Sequence, residues 1–152
     1  MPRARAALDL PGSISAAEAV WYDLRRWPAF VDGFRRVVSA EGDWPEPGAW
    51  LVWESLPGGR GRVEERSTRH EPRAGQTVEV EDEQLRGTQE VSFAALADGV
   101  EVALELSYEL KRGGPLRKVT DVIFIRRALA DSLRRTLTRL GAELSAEGEA
   151  LL

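Results

Sequence analysis

"VIFIRRALADSLRRTLTRLGAEL", residues 122–144, decides the fold. Val122, Ile125, Leu129, Leu133, Leu137, Leu140 and Leu144 recur at steps of three and four, which places them on one stripe of an α-helix. The opposite face carries Arg127, Asp131, Arg134 and Thr138. The pattern predicts one long helix from about Leu116 to about Glu147, with "GEALL" (148–152) as a frayed tail. A helix with a single apolar stripe needs a matching surface to cover it.

The preceding chain supplies that surface. In "VEVALELSYEL", Val100, Val102, Leu104, Leu106, Tyr108 and Leu110 alternate with Glu101, Ala103, Glu105, Ser107 and Glu109, the clearest strand of the sequence. "DG" at 98–99 joins it as a hairpin to "TQEVSFAAL", where Val91, Phe93 and Ala95 share a face. Upstream, "QTVEVEDEQL" puts Val78, Val80 and Asp82 on one face, and "FRRVVSAEG" and "AWLVWESL" read as two further strands. The chain opens on "RARAALDL", with Ala4, Ala6, Leu8 and Leu10 on its apolar side. Between that first strand and the others, Ser15 and Glu18 have capping-box spacing ahead of a helix over 16–25, and Pro28 opens a second short helix over 28–33. The order is strand, two short helices, a run of antiparallel strands and one long helix. It predicts an α+β fold in which a twisted sheet of six or seven strands, wet on its outer side, curls around the long helix. A curled sheet and a helix leave a gap, with the two short helices at its mouth.

Composition narrows the function. The 152 residues favour one domain, taken as 1–147, and 43% hydrophobic with 30% charged residues is ordinary for a soluble globular protein. A net charge of −4 argues against a general nucleic-acid binder. With no cysteine there is no disulfide frame, thiolate nucleophile or Cys-rich zinc site. "MPRARAALDL" lacks the apolar core of a signal peptide, and the longest apolar run, "VIFI", is far short of the ~20 residues of a membrane helix. The expectation is a cytoplasmic protein without a transmembrane segment, monomer or homodimer. All five tryptophans, Trp21, Trp27, Trp44, Trp50 and Trp53, fall in the first third of the chain, as core packing or as the aromatic lining of a cavity.

One strand resists the core reading. "RVEERSTRHEP" (62–72) lies between turn signals, yet neither set of alternating positions is apolar: Val63, Glu65, Ser67, Arg69 and Glu71 share one face, Arg62, Glu64, Arg66, Thr68 and His70 the other. Polar groups on an inward face suit a cavity wall, where a ligand or water satisfies them.

Four stretches, "ISAAEAVWYDLRRWPAF" (14–30), "GRGRVEE" (59–65), "DGVEVALELSYEL" (98–110) and "GPLRKVTDVIFIRRALADSLRRTLTRLGAEL" (114–144), resemble the helix-grip fold of the START / Bet v 1-like (SRPBCC) superfamily, and look most like its bacterial polyketide cyclase/dehydrase-like branch. The resemblance implies an elongated apolar cavity between sheet and long helix, used for lipids, hormones, quinones or polyketides. In cyclases similar to this chain, the strand equivalent to 62–71 carries a Ser-x-Arg pair facing the cavity, which maps onto Ser67 and Arg69. That implies Arg69 as the group that polarises a carbonyl or enolate oxygen, with Ser67 beside it. Two positions depart from the pattern: Phe34 stands where the cyclases have a Tyr, and Asp82 or Glu83 where they have a second Arg. Arg69 would then be neutralised by Glu65 or Asp82.

The remaining candidates read as scaffold. His70, the only histidine, falls on the face opposite Arg69, toward solvent, and with scattered carboxylates it does not suggest a metal site. The adjacent pairs Glu64/Glu65 and Asp82/Glu83 point to opposite faces and do not read as paired carboxylates for glycoside hydrolysis. "GGRG" (58–61) lacks the Lys-Ser/Thr of a phosphate loop and reads as a hairpin turn. The arginine doublets 126/127 and 134/135 read as a solvated helix face. The leading expectation is a binder of a lipid-, quinone- or polyketide-like molecule, without cofactor or metal. The ligand is expected to touch Phe34, Trp50 or Trp53, Glu65, Asp82, Phe93, Tyr108, and Ile125 and Leu129 of the helix stripe. The alternatives are a polyketide cyclase/dehydratase acting through Arg69 and Ser67, and an interaction module of the toxin or quinone-chaperone type.

Overall fold

The computed structural model describes residues 1–111 and 122–151. Strand β1 (Arg3–Leu10) is followed by α1 (Ile14–Trp21), a 3₁₀ turn (Leu24–Arg26) and α2 (Trp27–Phe30). Six strands come next: β2 (Phe34–Glu41), β3 (Trp50–Ser55), β4 (Arg62–Glu71), β5 (Gly75–Glu81), β6 (Leu85–Leu96) and β7 (Gly99–Leu110). Helix α3 spans Val122–Ala150. The strands form one antiparallel sheet in the order β1-β7-β6-β5-β4-β3-β2, and α3 covers its inner face, the α+β helix-grip arrangement.

Alternation sets the inner face. Val100, Val102, Leu104, Leu106 and Tyr108 of β7 are all buried, and so are Ala4, Ala6 and Leu10 of β1 and Val78, Val80 and Asp82 at β5. Leu137, Leu140 and Leu144 of α3 close over them, with Leu137 and Leu140 fully buried. Each such leucine stabilises the fold by about 1.5–3 kcal/mol. Gly141 lets α3 come down onto β1: a Cβ there would lie 3.0 Å from the Leu10 side chain.

Local chemistry shifts several boundaries from those the sequence suggests. Ser13, not Ser15, caps α1, accepting a hydrogen bond from the Ala16 N–H at 3.1 Å. Glu18 is thereby free of the capping box and instead accepts from the Arg73 N–H at 2.7 Å, tying α1 to the β4–β5 turn. The first helix ends at Trp21, and Asp23 restarts the chain as a 3₁₀ turn by accepting from the Arg25 N–H. The second helix is a single turn, because Val31 already has extended backbone angles. At the other end α3 runs to Ala150, so residues 148–150 are helical. The expected helical residues 116–121 lie outside the described residues. Val122, expected in the buried stripe, is 58% exposed. No helix among the described residues is long and apolar enough to cross a membrane.

Candidate functional site

The first half of β4 faces inward as its alternation predicts. Val63, Glu65 and Ser67 are buried, paired with Trp53 of β3 and with Val80 and Val78 of β5, respectively. Between Ser67 and Arg69 the register with β5 slips, so that Thr68 is the extra residue of a β-bulge. A bulge exchanges the faces of everything beyond it. Arg69 therefore turns outward, with its side chain 69% exposed and paired to Glu71 at 3.0 Å. His70 turns inward, leaving only 9% of its side chain exposed. Both expectations from simple alternation are corrected: Arg69 does not face the cavity, and His70 does not face solvent. Arg69 consequently pairs with neither Glu65 nor Asp82.

The inward cation comes from the β3–β4 turn. Arg60 sits between Gly59 and Gly61 in the stretch that the sequence presents as a plain turn. Gly61 holds φ +73°, a left-handed conformation that other residues rarely adopt, so this crossing favours glycine. The turn directs the Arg60 guanidinium inward, where its Nε donates to Asp82 at 2.6 Å and its plane lies 5.7 Å from the centre of the Trp53 ring. Asp82 is fully buried and also accepts from the Gln84 and Leu85 N–H groups, at 2.7 and 2.9 Å, so both of its oxygens are occupied. Glu65 accepts from the Trp53 indole N–H at 2.6 Å. Burial pushes the Glu65 carboxyl up from its ordinary value, opposed by the Trp53 hydrogen bond and the charge of Arg60.

These groups surround a hollow of about 50 Å³ between the inner sheet face and α3. Trp21, Trp27, Trp53, Leu104 and Leu133 give it apolar walls, and Glu65, Gln89 and Arg60 give it polar ends. A small extension, about 10 Å³, continues past Glu65 and Gln89 to Trp44, Gln76 and Val78. On the α3 side Asp32 fastens the rim: it accepts from Ser132 at 2.7 Å and from Arg135 and Arg139 at 3.0–3.1 Å. Burial opposes ionisation of Asp32, but the Arg135 and Ser132 hydrogen bonds win and hold its carboxyl below the usual range.

Residues 42–49 form a strap across the opposite side. The Pro45 carbonyl accepts from Ser67 Oγ at 2.7 Å and from Gln76 Nε2 at 3.1 Å. Ser67 is thus a peg for the strap rather than a group presented to the hollow. Gly48 N–H bonds to the Ser67 carbonyl and Ser67 N–H to the Ala49 carbonyl, both at 2.9 Å. Glu46 meets His70 Nδ1 at 2.7 Å, and Tyr22 packs edge-on against the His70 ring at 5.2 Å. Trp44 plugs the strap into the interior, edge-on to Trp27 at 6.0 Å, with its indole N–H buried and without a partner among the described residues.

Of the residues singled out in the sequence, Trp53 and Glu65 line the hollow. Phe34 stands behind it, its ring tilted against Trp53 at 5.2 Å, and Asp82 stands behind Arg60. Phe93 packs against Tyr22 at 6.2 Å, and Leu129 is half-buried in the core. Trp50 lies on the outer sheet face opposite Arg66, beside Glu64 and Glu79. Tyr108 and Ile125 border a separate hollow of about 690 Å³ where β7 leads out of the sheet. Arg60 and Gln89 are lining residues that no sequence pattern marked as such, while Trp21, Trp27 and Trp44 were marked only as members of the tryptophan cluster.

No curated protein matches the sequence. Solved structures do match in fold. A protein from Thermus thermophilus superposes with a TM-score of 0.72 at 21% identity, covering 96% of this chain and 99% of the other. The di-domain ARO/CYC StfQ from the steffimycin biosynthetic pathway gives 0.76 at 13% identity, covering 97% of this chain and 51% of its own. Ara h 8.0201 gives 0.73 at 10% identity, covering 95% and 98%. Identities this low establish a shared Bet v 1-like fold. The sequence itself matches the family described as "Polyketide cyclase / dehydrase and lipid transport" over residues 1–145. The chain belongs to that family, and its architecture is that of a Bet v 1-like, hydrophobic-ligand-binding fold.

Proposed function

We propose that the protein binds a hydrophobic small molecule, lipid-, quinone- or polyketide-like, in the interior between the sheet and α3. The observation that carries this reading is the hollow walled by Trp21, Trp27 and Trp53, with Glu65 and Gln89 at its polar end. Apolar walls with a few convergent polar groups are the usual make-up of a ligand site. At about 50 Å³ the hollow is far below the ~300 Å³ at which sites for drug-sized ligands begin. Ligand entry therefore requires a wall to move. The strap is the wall held mainly by polar pegs, and its Trp44 fills the space next to the hollow. The cyclase alternative built on Arg69 finds no support in this geometry, since Arg69 is on the outer face and paired with Glu71.

Thermal unfolding with a panel of fatty acids, naphthoquinones and polyphenolic aromatics, alongside native mass spectrometry of freshly purified protein, tests the reading. A ligand present at 100 times its Kd should raise Tm by roughly 5–10 °C. Trp44→Ala, which removes the plug, should bind the bulkier members more tightly than the parent. No shift from any panel member, together with no co-purifying species, would overturn the proposal.

A further inference from the structure

The polar groups at the hollow have hydrogen-bonding capacity left over. Glu65 uses one carboxyl oxygen on Trp53, and the other has no hydrogen-bond partner among the described residues. Arg60 uses Nε on Asp82, while its Nη2 is buried and unpartnered among the described residues. The Gln89 amide, between the hollow and its extension, makes no side-chain hydrogen bond among the described residues. The buried Arg60 Nη2 is costly in this state unless something completes it, and the Glu65 oxygen and the half-buried Gln89 amide are free to help.

The charges indicate what completes it. Asp82 balances Arg60, so their pair is neutral as a unit. Glu65 is then the only other ionisable group lining the hollow away from the Asp32 rim among the described residues, and burial favours its protonated form. An incoming anion would sit beside Glu65, and the one cation at that end, Arg60, already has its charge balanced by Asp82 behind it. An incoming cation would sit beside the Arg60 guanidinium, which already occupies one face of the Trp53 ring. A neutral oxygen meets neither obstacle: it can accept from Arg60 Nη2, and it can exchange a hydrogen bond with the free Glu65 oxygen.

Resting on the cavity reading above, we propose that Arg60 and Glu65 recognise a neutral oxygen, hydroxyl or carbonyl, on an aromatic ligand whose ring takes the hollow between Trp21, Trp27 and Trp53. Arg60 and Glu65 are on this view specificity-determining residues, and Gln89 is a second contact for a ligand with oxygens at both ends.

The test compares four probes of one ring system on the intact protein: naphthalene, 2-naphthol, 2-naphthoate and 2-naphthylmethylamine, with Kd measured for each. The expected result is 2-naphthol binding about tenfold more tightly than naphthalene, and more tightly than either charged probe. Arg60→Lys keeps a cation for Asp82 but removes the second nitrogen arm, and should bring 2-naphthol down to the level of naphthalene. Glu65→Gln, neutral and still donor plus acceptor, should keep the preference within about threefold, whereas Glu65→Leu should lose it. If naphthalene and 2-naphthol bind equally to the parent, the cavity stands and the Arg60–Glu65 recognition falls. If the amine binds best and Glu65→Gln abolishes its binding, Glu65 acts as an anion and the neutral-oxygen proposal is overturned. If no probe binds, the recognition proposal falls, and the panel of fatty acids, naphthoquinones and polyphenolic aromatics decides the cavity reading separately.

Discussion

The two halves of β4 are built from similar residues and do opposite things. From Arg62 to Ser67 the strand sends Val63, Glu65 and Ser67 to the inner face, and one carboxylate is buried against a tryptophan. From Thr68 onward the faces are exchanged, so that an arginine goes to solvent and the only histidine is enclosed by Glu46 and Tyr22. What separates the halves is one extra residue in the pairing with β5. The difference teaches that alternation assigns a face only as far as the first bulge. It also shows that the cationic end of an interior site need not come from a strand: here the β3–β4 turn delivers Arg60.

The comparison breaks most visibly if the inner half is robbed of its anchor. Trp53 is 1% exposed, holds Glu65 by its indole N–H, and packs on Phe34. Trp53→Ala should lower the unfolding free energy by about 3–5 kcal/mol, through lost burial and an unpaired Glu65. Urea unfolding followed by far-UV circular dichroism measures it; a loss below ~1 kcal/mol would mean that the inner half is not organised around this pair.

A subtler test concerns the charge state of Glu65. Its folded carboxyl is raised above the ordinary value of 4.5, so the folded chain holds that proton to higher pH than the unfolded chain does. This group's contribution is therefore most favourable below 4.5, declines as pH rises from there through the folded value, and stays low above it. Asp32 has the opposite sign: its stabilisation is present at neutral pH and lost as pH falls. The difference between Glu65→Gln and the parent isolates the Glu65 contribution. The variant should gain stability relative to the parent as pH increases above about 4.5, by at most about 1.4 kcal/mol per pH unit. A flat difference across pH 4–8 would mean that Glu65 is ionised in the fold at no penalty.

Much of this could be read from the sequence because its signals are local. The stripe through Leu137, Leu140 and Leu144, and the alternation of Val100 to Tyr108, of Val78 to Asp82 and of Ala4 to Leu10, all follow from the periods of helix and strand, and they determine the architecture. Glu65 and Trp53 were legible for the same reason. Trp50 could have been excluded locally: three residues from Trp53 on one strand, it must take the other face. The bulge could not, since nothing within "RVEERSTRHE" marks Thr68; it arises from how β4 meets β5, a non-local register. Nor could Arg60, because a turn residue has no periodicity to give its direction, which here depends on the crossing at Gly61 and on Asp82, more than twenty residues away. The strap was missed because its hold on the sheet consists of carbonyls and side chains meeting across the fold, Pro45 with Ser67 and Gln76, and Glu46 with His70.

The finest test sets Ser67 against Arg69, two residues apart and on opposite sides of the bulge. Ser67 is 1% exposed, and its hydroxyl donates to the Pro45 carbonyl. Ser67→Ala keeps the shape and deletes that hydrogen bond, so it should cost about 1 kcal/mol. Gln76 still donates to the same carbonyl, which keeps the strap seated and limits the loss. Arg69 makes one exposed ion pair, with Glu71 two residues away. Such a pair is weak in water, so Arg69→Ala should change stability by less than about 0.5 kcal/mol. It should also leave the Kd of any interior ligand unchanged, because the guanidinium lies on the far side of the sheet. If Arg69→Ala instead weakened ligand binding tenfold while Ser67→Ala did nothing, the register of β4 past Ser67 would have to be the unbulged one. The inward cation would then be Arg69 rather than Arg60.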